Sequence, residues 1–342
     1  MGHGGPRMTI YLHIGTHKTA TTSLQHFFHN NSAKLAERGI SYPSYRIVGC
    51  MNHYAHLGMA NALVGHHDLY SRDDAKRFFR EVSRRARDHD ITILSGEPFY
   101  RQMDSSAVSS PGDPIEDYWR ARKAYIAQVA ELLPDAEIVV VFRRQAEFAE
   151  SLYQETIKKT VRFHTFREYL KSNWYHFEYA NQADAWAEAF PALSMLTFEE
   201  LCAQGSPEMA FCKALGIKTE GLELPEAQNI GLPVDAIILK RHINRFSKDY
   251  PTSLERIERV MAGPVGEAIR STGRRSYFAS RDMRQEFQNR HRTDNARLAR
   301  HARLEGFEGT RLMNTDFDKR VRFGDQLAPD VLTAIAHELV GD

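Results

Sequence analysis

Over the first 200 residues, short apolar runs alternate with stretches in which apolar side chains recur every three or four positions. Thr9-Ile-Tyr-Leu-His-Ile14 is β-branched and apolar and is closed by Gly15, which predicts a buried first strand. From Thr22 to about Arg38, Leu24, Phe27, Phe28, Leu35 and Ala36 fall at helical spacing until Gly39 stops the pattern. An Arg-rich helix is expected over Asp73–Asp88, then a strand at Ile91–Leu94, broken by Gly96 and Pro98. Residues 103–114 have loop composition, and Tyr118–Leu133 has helical periodicity up to Pro134. Glu137–Phe142 is a continuous apolar run, as a strand covered on both faces requires. A helix from about Gln145, a helix containing Trp186 and a strand at Leu193–Phe198 complete the alternation. Strand–helix alternation of this length predicts an α/β fold, a parallel sheet with helices on both sides. Beyond Asp235 the periodicity is helical with no convincing strand, so 235–342 reads as a mostly helical C-terminal part of one domain spanning 8–342. Residues 1–7 read as a leader or cloning remnant.

Composition narrows the class. With 42% hydrophobic and 26% charged residues the chain can bury a large core. It has no run of 18 apolar residues, so no transmembrane segment is expected, and its start lacks the features of a secretory signal. A net charge of +1 argues against a nucleic-acid partner or a polybasic membrane adaptor. Cys50, Cys202 and Cys212 form no C-x-x-C pair, which points to buried thiols in a reducing, cytoplasmic setting. The basic stretch between Lys240 and Arg303 reads either as a solvated, salt-bridged helical face or as an electropositive wall beside an anionic ligand.

Candidate chemistry concentrates where the first strand ends. Gly15, Thr16, His17, Lys18, Thr19, Ala20, Thr21, Thr22 and Ser23 join that strand to a helix. Backbone N–H groups at a helix start converge on one point and its dipole favours negative charge, while Lys18 adds a full positive charge and the hydroxyls add donors. The bland alternative is a strand–turn–helix with a threonine cap. The loop is not the nucleotide P-loop G-x-x-x-x-G-K-[ST]: Gly15 lies three residues before Lys18, and His17 precedes the lysine.

Lys18-Thr-Ala-Thr-Thr-Ser-Leu24 resembles the 5′-phosphosulfate loop of sulfotransferases that use 3′-phosphoadenosine 5′-phosphosulfate (PAPS), with His17 in place of the usual proline and Ala20 where glycine is commoner. Val139-Val-Val-Phe-Arg-Arg-Gln-Ala-Glu-Phe-Ala-Glu-Ser151 resembles that family's 3′-phosphate segment, an arginine ending a strand and a serine eight residues on. The resemblance, nearest to bacterial carbohydrate-type sulfotransferases, extends more weakly through Leu196–Leu201 and Phe211–Ile217. It implies a P-loop-NTPase-like three-layer fold, Gly15–Ser23 with Arg143 and Ser151 as the PAPS-binding residues, and no metal. The alternative for Arg143 and Arg144 is pairing with Glu147 and Glu150 on the helix surface.

Sulfuryl transfer needs a cation on the leaving oxygen, a base for the acceptor hydroxyl and in-line positioning. Lys18 is the candidate cation. For the base, Glu97 follows a strand, as in several carbohydrate sulfotransferases; His53 and His56 are rivals, with plain structural histidines as their alternative. His53 and His56 lack a third ligand at recognisable spacing, so no metal site is expected. The expected partners are PAPS, its bisphosphate product and a carbohydrate or other small acceptor. Two other readings stay open: a nucleotide or small-molecule kinase with an atypical phosphate loop, against which stands Arg143 where a magnesium-binding aspartate would follow the strand, and a non-catalytic nucleotide-binding module.

Overall fold

The computed structural model describes residues 8–110, 112–225, 231–314 and 321–340; the leader read at 1–7 lies outside them. In chain order come β1 (Thr9–His13), α1 (Thr21–Asn30), α2 (Ser32–Ala36), β2 (Ile40–Ser41), α3 (Leu57–Ala62), α4 (Arg72–Arg85), β3 (Ile91–Ser95), α5 (Pro98–Arg101), α6 (Pro114–Leu132), β4 (Ala136–Phe142), α7 (Gln145–Lys159), α8 (Phe166–Ser172), α9 (Tyr179–Ala189), β5 (Ala192–Thr197), α10 (Phe198–Ala203) and α11 (Pro207–Ala214). Five strands form one parallel sheet in the order β2-β3-β1-β4-β5. The fold is α/β, a central parallel sheet flanked by helices.

The chain divides into two compact units. The first takes the described residues of Met1–Arg143, Glu178–Ala227 and Asp294–Leu312; the second takes those of Arg144–Phe177, Gln228–Thr293 and Met313–Asp342. The whole five-stranded sheet belongs to the first unit. Val139 and Val141 of β4 face a core with Leu24, Phe27 and Phe28 of α1, Leu196 of β5 and Phe211 of α11. Alternate residues Ile138 and Val140 are equally buried, which explains why β4 reads as an unbroken apolar run. In this sheet order β3, β1 and β4 are neighbours, so whatever follows their carboxyl ends stands side by side on one edge.

The helix expected over 22–38 is two helices. Asn31 is buried and breaks the run: its side-chain amide donates to Phe27 O at 2.8 Å and Glu223 O at 2.9 Å, and its Oδ1 accepts from Glu223 N at 2.9 Å. The helix expected from Tyr118 begins four residues earlier, because Asp113 caps it by accepting from Ile115 N and Glu116 N, and Pro114 takes its first position. Elsewhere the expected strands and helices stand within a residue or two.

The second unit is helical, with helices at Val234–Asn244, Tyr250–Met261, Pro264–Ser271, Arg281–Arg290 and Pro329–Val340. Against expectation it also holds strands, a parallel pair of Arg274–Ser276 with Arg322–Phe323. Ala236, Val265, Ile269, Ala328 and Val331 form its core. The basic stretch is largely paired or internal. Arg259 pairs with Glu255 at 2.8 Å, Arg290 with Glu286 at 2.7 Å, and Arg297, in the first unit, with Asp184 at 2.8 Å. Lys240 is fully buried against the carbonyls of Ile157 and Thr160 near the end of α7. Among the described residues no helix is long and apolar enough to cross a membrane.

Candidate functional site

The loop after β1 is held at both shoulders. Ile14 N and Thr16 N donate to Val139 O (3.0 Å) and Val141 O (3.2 Å) of β4. The Thr16 hydroxyl donates to Val141 O at 3.0 Å, and the Thr19 hydroxyl to Thr16 O at 2.8 Å. Within this frame Gly15, Lys18 and Ala20 have φ of 52°, 67° and 58°; Lys18 and Ala20 are the non-glycine residues with positive φ among those described. Each left-handed non-glycine residue costs roughly 1–2 kcal/mol, and such cost concentrates at functional sites. Left-handed backbone at Lys18 and again at Ala20 is of the kind that turns N–H groups towards one concavity, an anion nest. Gly15 is needed as glycine twice over: its φ is positive, and a Cβ there would lie 2.9 Å from Thr21 Cγ2.

Ala20 is also the N-cap of α1. It offers no side-chain acceptor, and the first turn holds no acid. The positive end of the α1 dipole and its first N–H groups are therefore not neutralised by a cap. This donor set, with Lys18 in the same turn, fits a phosphate or phosphosulfate group. Ser23 is tied differently: its hydroxyl donates to Glu208 of α11, whose other oxygen accepts from Ser206 Oγ at 2.5 Å.

Arg143 follows β4, the strand beside the loop. Its Nη1 donates to Lys18 O at 3.1 Å, its Cζ lies 5.1 Å from the centre of the Phe198 ring, and its own carbonyl accepts from Tyr179 Oη at 2.8 Å. The two segments singled out in the sequence thus meet at Lys18 O as well as at the Thr16 bonds to Val141 O. Arg144 pairs with Glu147 at 2.5 Å, the helix-surface role. Ser151 lies on α7 in the second unit, whereas Arg143 closes the first main segment of the first.

Glu97 follows β3 on the other side of β1. Gln25 Nε2 donates to its Oε2 at 3.2 Å. Burial works against its ionisation, but the facing His17 charge, the Thr21 hydroxyl and the Gln25 amide outweigh this and hold the carboxyl below the ordinary glutamate value. Glu97 is therefore a carboxylate at neutral pH. Beneath it, Ser95 Oγ lies 2.8 Å from His13 Nδ1 and accepts from Gln25 Nε2 at 3.3 Å. Burial pulls His13 down to about 4 in spite of the Glu97 charge, so its ring is neutral.

The rival histidines are engaged elsewhere. His56 is buried; Ser95 N donates to its Nδ1 at 3.0 Å, and its Nε2–H faces Pro43 O at 2.8 Å. Both ring nitrogens serve the backbone, and burial lowers its pKa to about 4. His53 Nδ1 lies 3.1 Å from Ala55 N and 3.2 Å from Ala55 O, and the ring packs on Tyr54, itself stacked on His26 of α1. Among the described residues no group of three or more His, Cys, Asp or Glu side chains is placed to hold a metal ion.

The structure thus gathers Gly15–Thr22, Arg143 and Glu97 at the carboxyl ends of three adjacent strands. Sequence reasoning missed Gln25, Ser95 and Glu208. Two of these had a legible signal: Gln25 stands one helical turn after Thr21, and Ser95 is a polar residue inside an apolar strand. Glu208 is 185 positions from Ser23 and had none.

No family model and no curated protein matches the chain. Among solved structures, a sulfotransferase from Alicyclobacillus acidocaldarius aligns at 17% identity with a TM-score of 0.38, covering 74% of this chain and 95% of that one.

Proposed function

We propose that the chain is a sulfotransferase that moves the sulfuryl group of PAPS to a hydroxyl or amine of a carbohydrate or other small acceptor. The observation that carries this reading is the nest between β1 and α1, strained at Lys18 and Ala20 and joined to Arg143 at Lys18 O. When bound, PAPS supplies the activated sulfuryl group and a bisphosphate leaving group. The N–H groups of the loop hold the 5′-phosphosulfate, and the Lys18 ammonium offsets negative charge building on the bridging oxygen as the S–O bond breaks. Glu97 takes the acceptor's proton as the new O–S bond forms. Arg143 is assigned to the 3′-phosphate, which a guanidinium fork suits. Lysine and backbone donors neutralise the phosphate in this scheme, so it requires no metal, and we place the reaction in the cytoplasm.

The test is transfer of labelled sulfate from PAPS across a panel of sugars and small alcohols and amines. Glu97→Gln should cost roughly 10²–10⁴-fold in kcat. Activity should persist in a chelator; loss in chelator with recovery on adding magnesium would favour the kinase reading.

A further inference from the structure

Glu97 is not held by the loop alone. The Gln25 amide has two hydrogens, and both are used: one towards Glu97 Oε2 at 3.2 Å, the other towards Ser95 Oγ at 3.3 Å. Having accepted from Gln25, the Ser95 hydroxyl has one proton left, and its remaining neighbour is His13 Nδ1 at 2.8 Å. A neutral, buried His13 accepts there, which puts its own proton on Nε2. In this sense every member from Glu97 to His13 Nδ1 is paired, and His13 Nε2 is buried without a hydrogen-bond partner. The hydrogen-bonded chain runs from the end of β1 through the end of β3 to the second turn of α1, elements whose spacing the sheet and core already set.

We propose that Gln25 is the positioning residue of Glu97: oriented by Ser95 and His13, its amide fixes one carboxylate oxygen and holds the group charged. The proposal deepens the functional reading above and rests on it for the use made of Glu97, but the geometry is a property of the folded chain. No hydroxyl side chain substitutes for Gln25, because two donors on one atom are required and a hydroxyl has one. The other groups that bear on Glu97 are His17 in the loop, Thr21 on α1, His13 on β1 and Tyr42, whose hydroxyl burial and the Glu97 charge raise far above its usual range. None of these is altered by replacing Gln25.

The experiment is a ¹³C NMR titration of the intact protein labelled at the glutamate side-chain carboxyl carbon, with Glu97→Gln to assign the Glu97 signal. Gln25→Met keeps the length of the side chain and removes both donors; the Glu97 midpoint should move up by about one pH unit. Ser95→Ala should move it in the same direction by less, and carries the test if Gln25→Met does not fold. An unmoved midpoint in a folded Gln25→Met, or in Ser95→Ala where the first variant fails, would overturn the proposal. The titration needs no substrate. A shifted midpoint in a protein that transfers no sulfate from PAPS would sink the functional reading and leave the role of Gln25 standing; an unmoved midpoint in an active enzyme would do the reverse.

Discussion

Lys18, Ala20, Arg143 and Glu97 carry the account at the scale of single residues. Ala20 sits at φ 58°, where alanine is strained and glycine is not. Ala20→Gly should therefore leave stability unchanged or raise it by up to about 1 kcal/mol, the relief of strain outweighing the extra freedom of the unfolded glycine. Ala20→Val should lower it by more than that; urea unfolding of the pair would show whether the loop is strained. Arg143 serves the loop as well as any bound ligand. Because Nη1 also bonds Lys18 O, Arg143→Ala should weaken AMP somewhat, through a looser loop, as well as the 3′,5′-bisphosphate. The bisphosphate should still lose roughly ten- to a hundredfold more, as loss of a charge-assisted contact implies. Equal losses in calorimetric titrations would confine the arginine to a structural role. Glu97 and His53 separate by pH. A base held below 4.5 stays ionised through the neutral range, so kcat/KM should be flat down to about pH 5 and fall only below it. A fall centred near 6.5 would point to a histidine.

Among elements, the segment from β1 to α2 shows what periodicity can and cannot reveal. The apolar positions Leu24, Phe27, Phe28 and Leu35 predicted helix over its full length and the right buried face. They could not show the break, because Asn31 is defined by Glu223, 192 residues away. Asn31→Ala removes three hydrogen bonds from a buried site and should cost about 1–3 kcal/mol in chemical denaturation; a cost near zero would mean that the break is made by the neighbouring turns. The loop and the strand end at Arg143 were legible because their chemistry is local, glycine, lysine and hydroxyls between strand and helix. The Gln25–Ser95–His13 chain was not, since its members lie on three elements. In the second unit the pair Arg274–Ser276 with Arg322–Phe323 escaped notice because strands of three and two residues, mostly charged, carry no alternation to read.

The whole chain ties pH to stability and the fold to chemistry. His56 has a folded pKa of about 4 against an ordinary 6.5, so protonation favours the unfolded chain: its contribution is complete above pH 6.5 and is lost as pH falls towards 4. The stability gap between wild type and His56→Gln should narrow over that window by as much as about 3 kcal/mol. A constant gap would mean that the ring is not kept neutral. The comparison with a variant is needed because Glu150 in the second unit works the opposite way. Burial, only partly opposed by Arg284, raises it to about 7, so its ionisation destabilises the fold as pH rises from 4.5. The parallel sheet was legible from alternation alone, and its strand order sets Glu97, the nest and Arg143 in a row. Under the proposed function this row receives a nucleotide carrying a 3′-phosphate beside its 5′-phosphate group, and the decisive measurement is calorimetric titration with adenosine 3′,5′-bisphosphate, AMP and magnesium ATP. The bisphosphate should bind at least tenfold tighter than either of the others, with Lys18→Ala weakening it; equal affinities, or a preference for magnesium ATP, would contradict the proposed function.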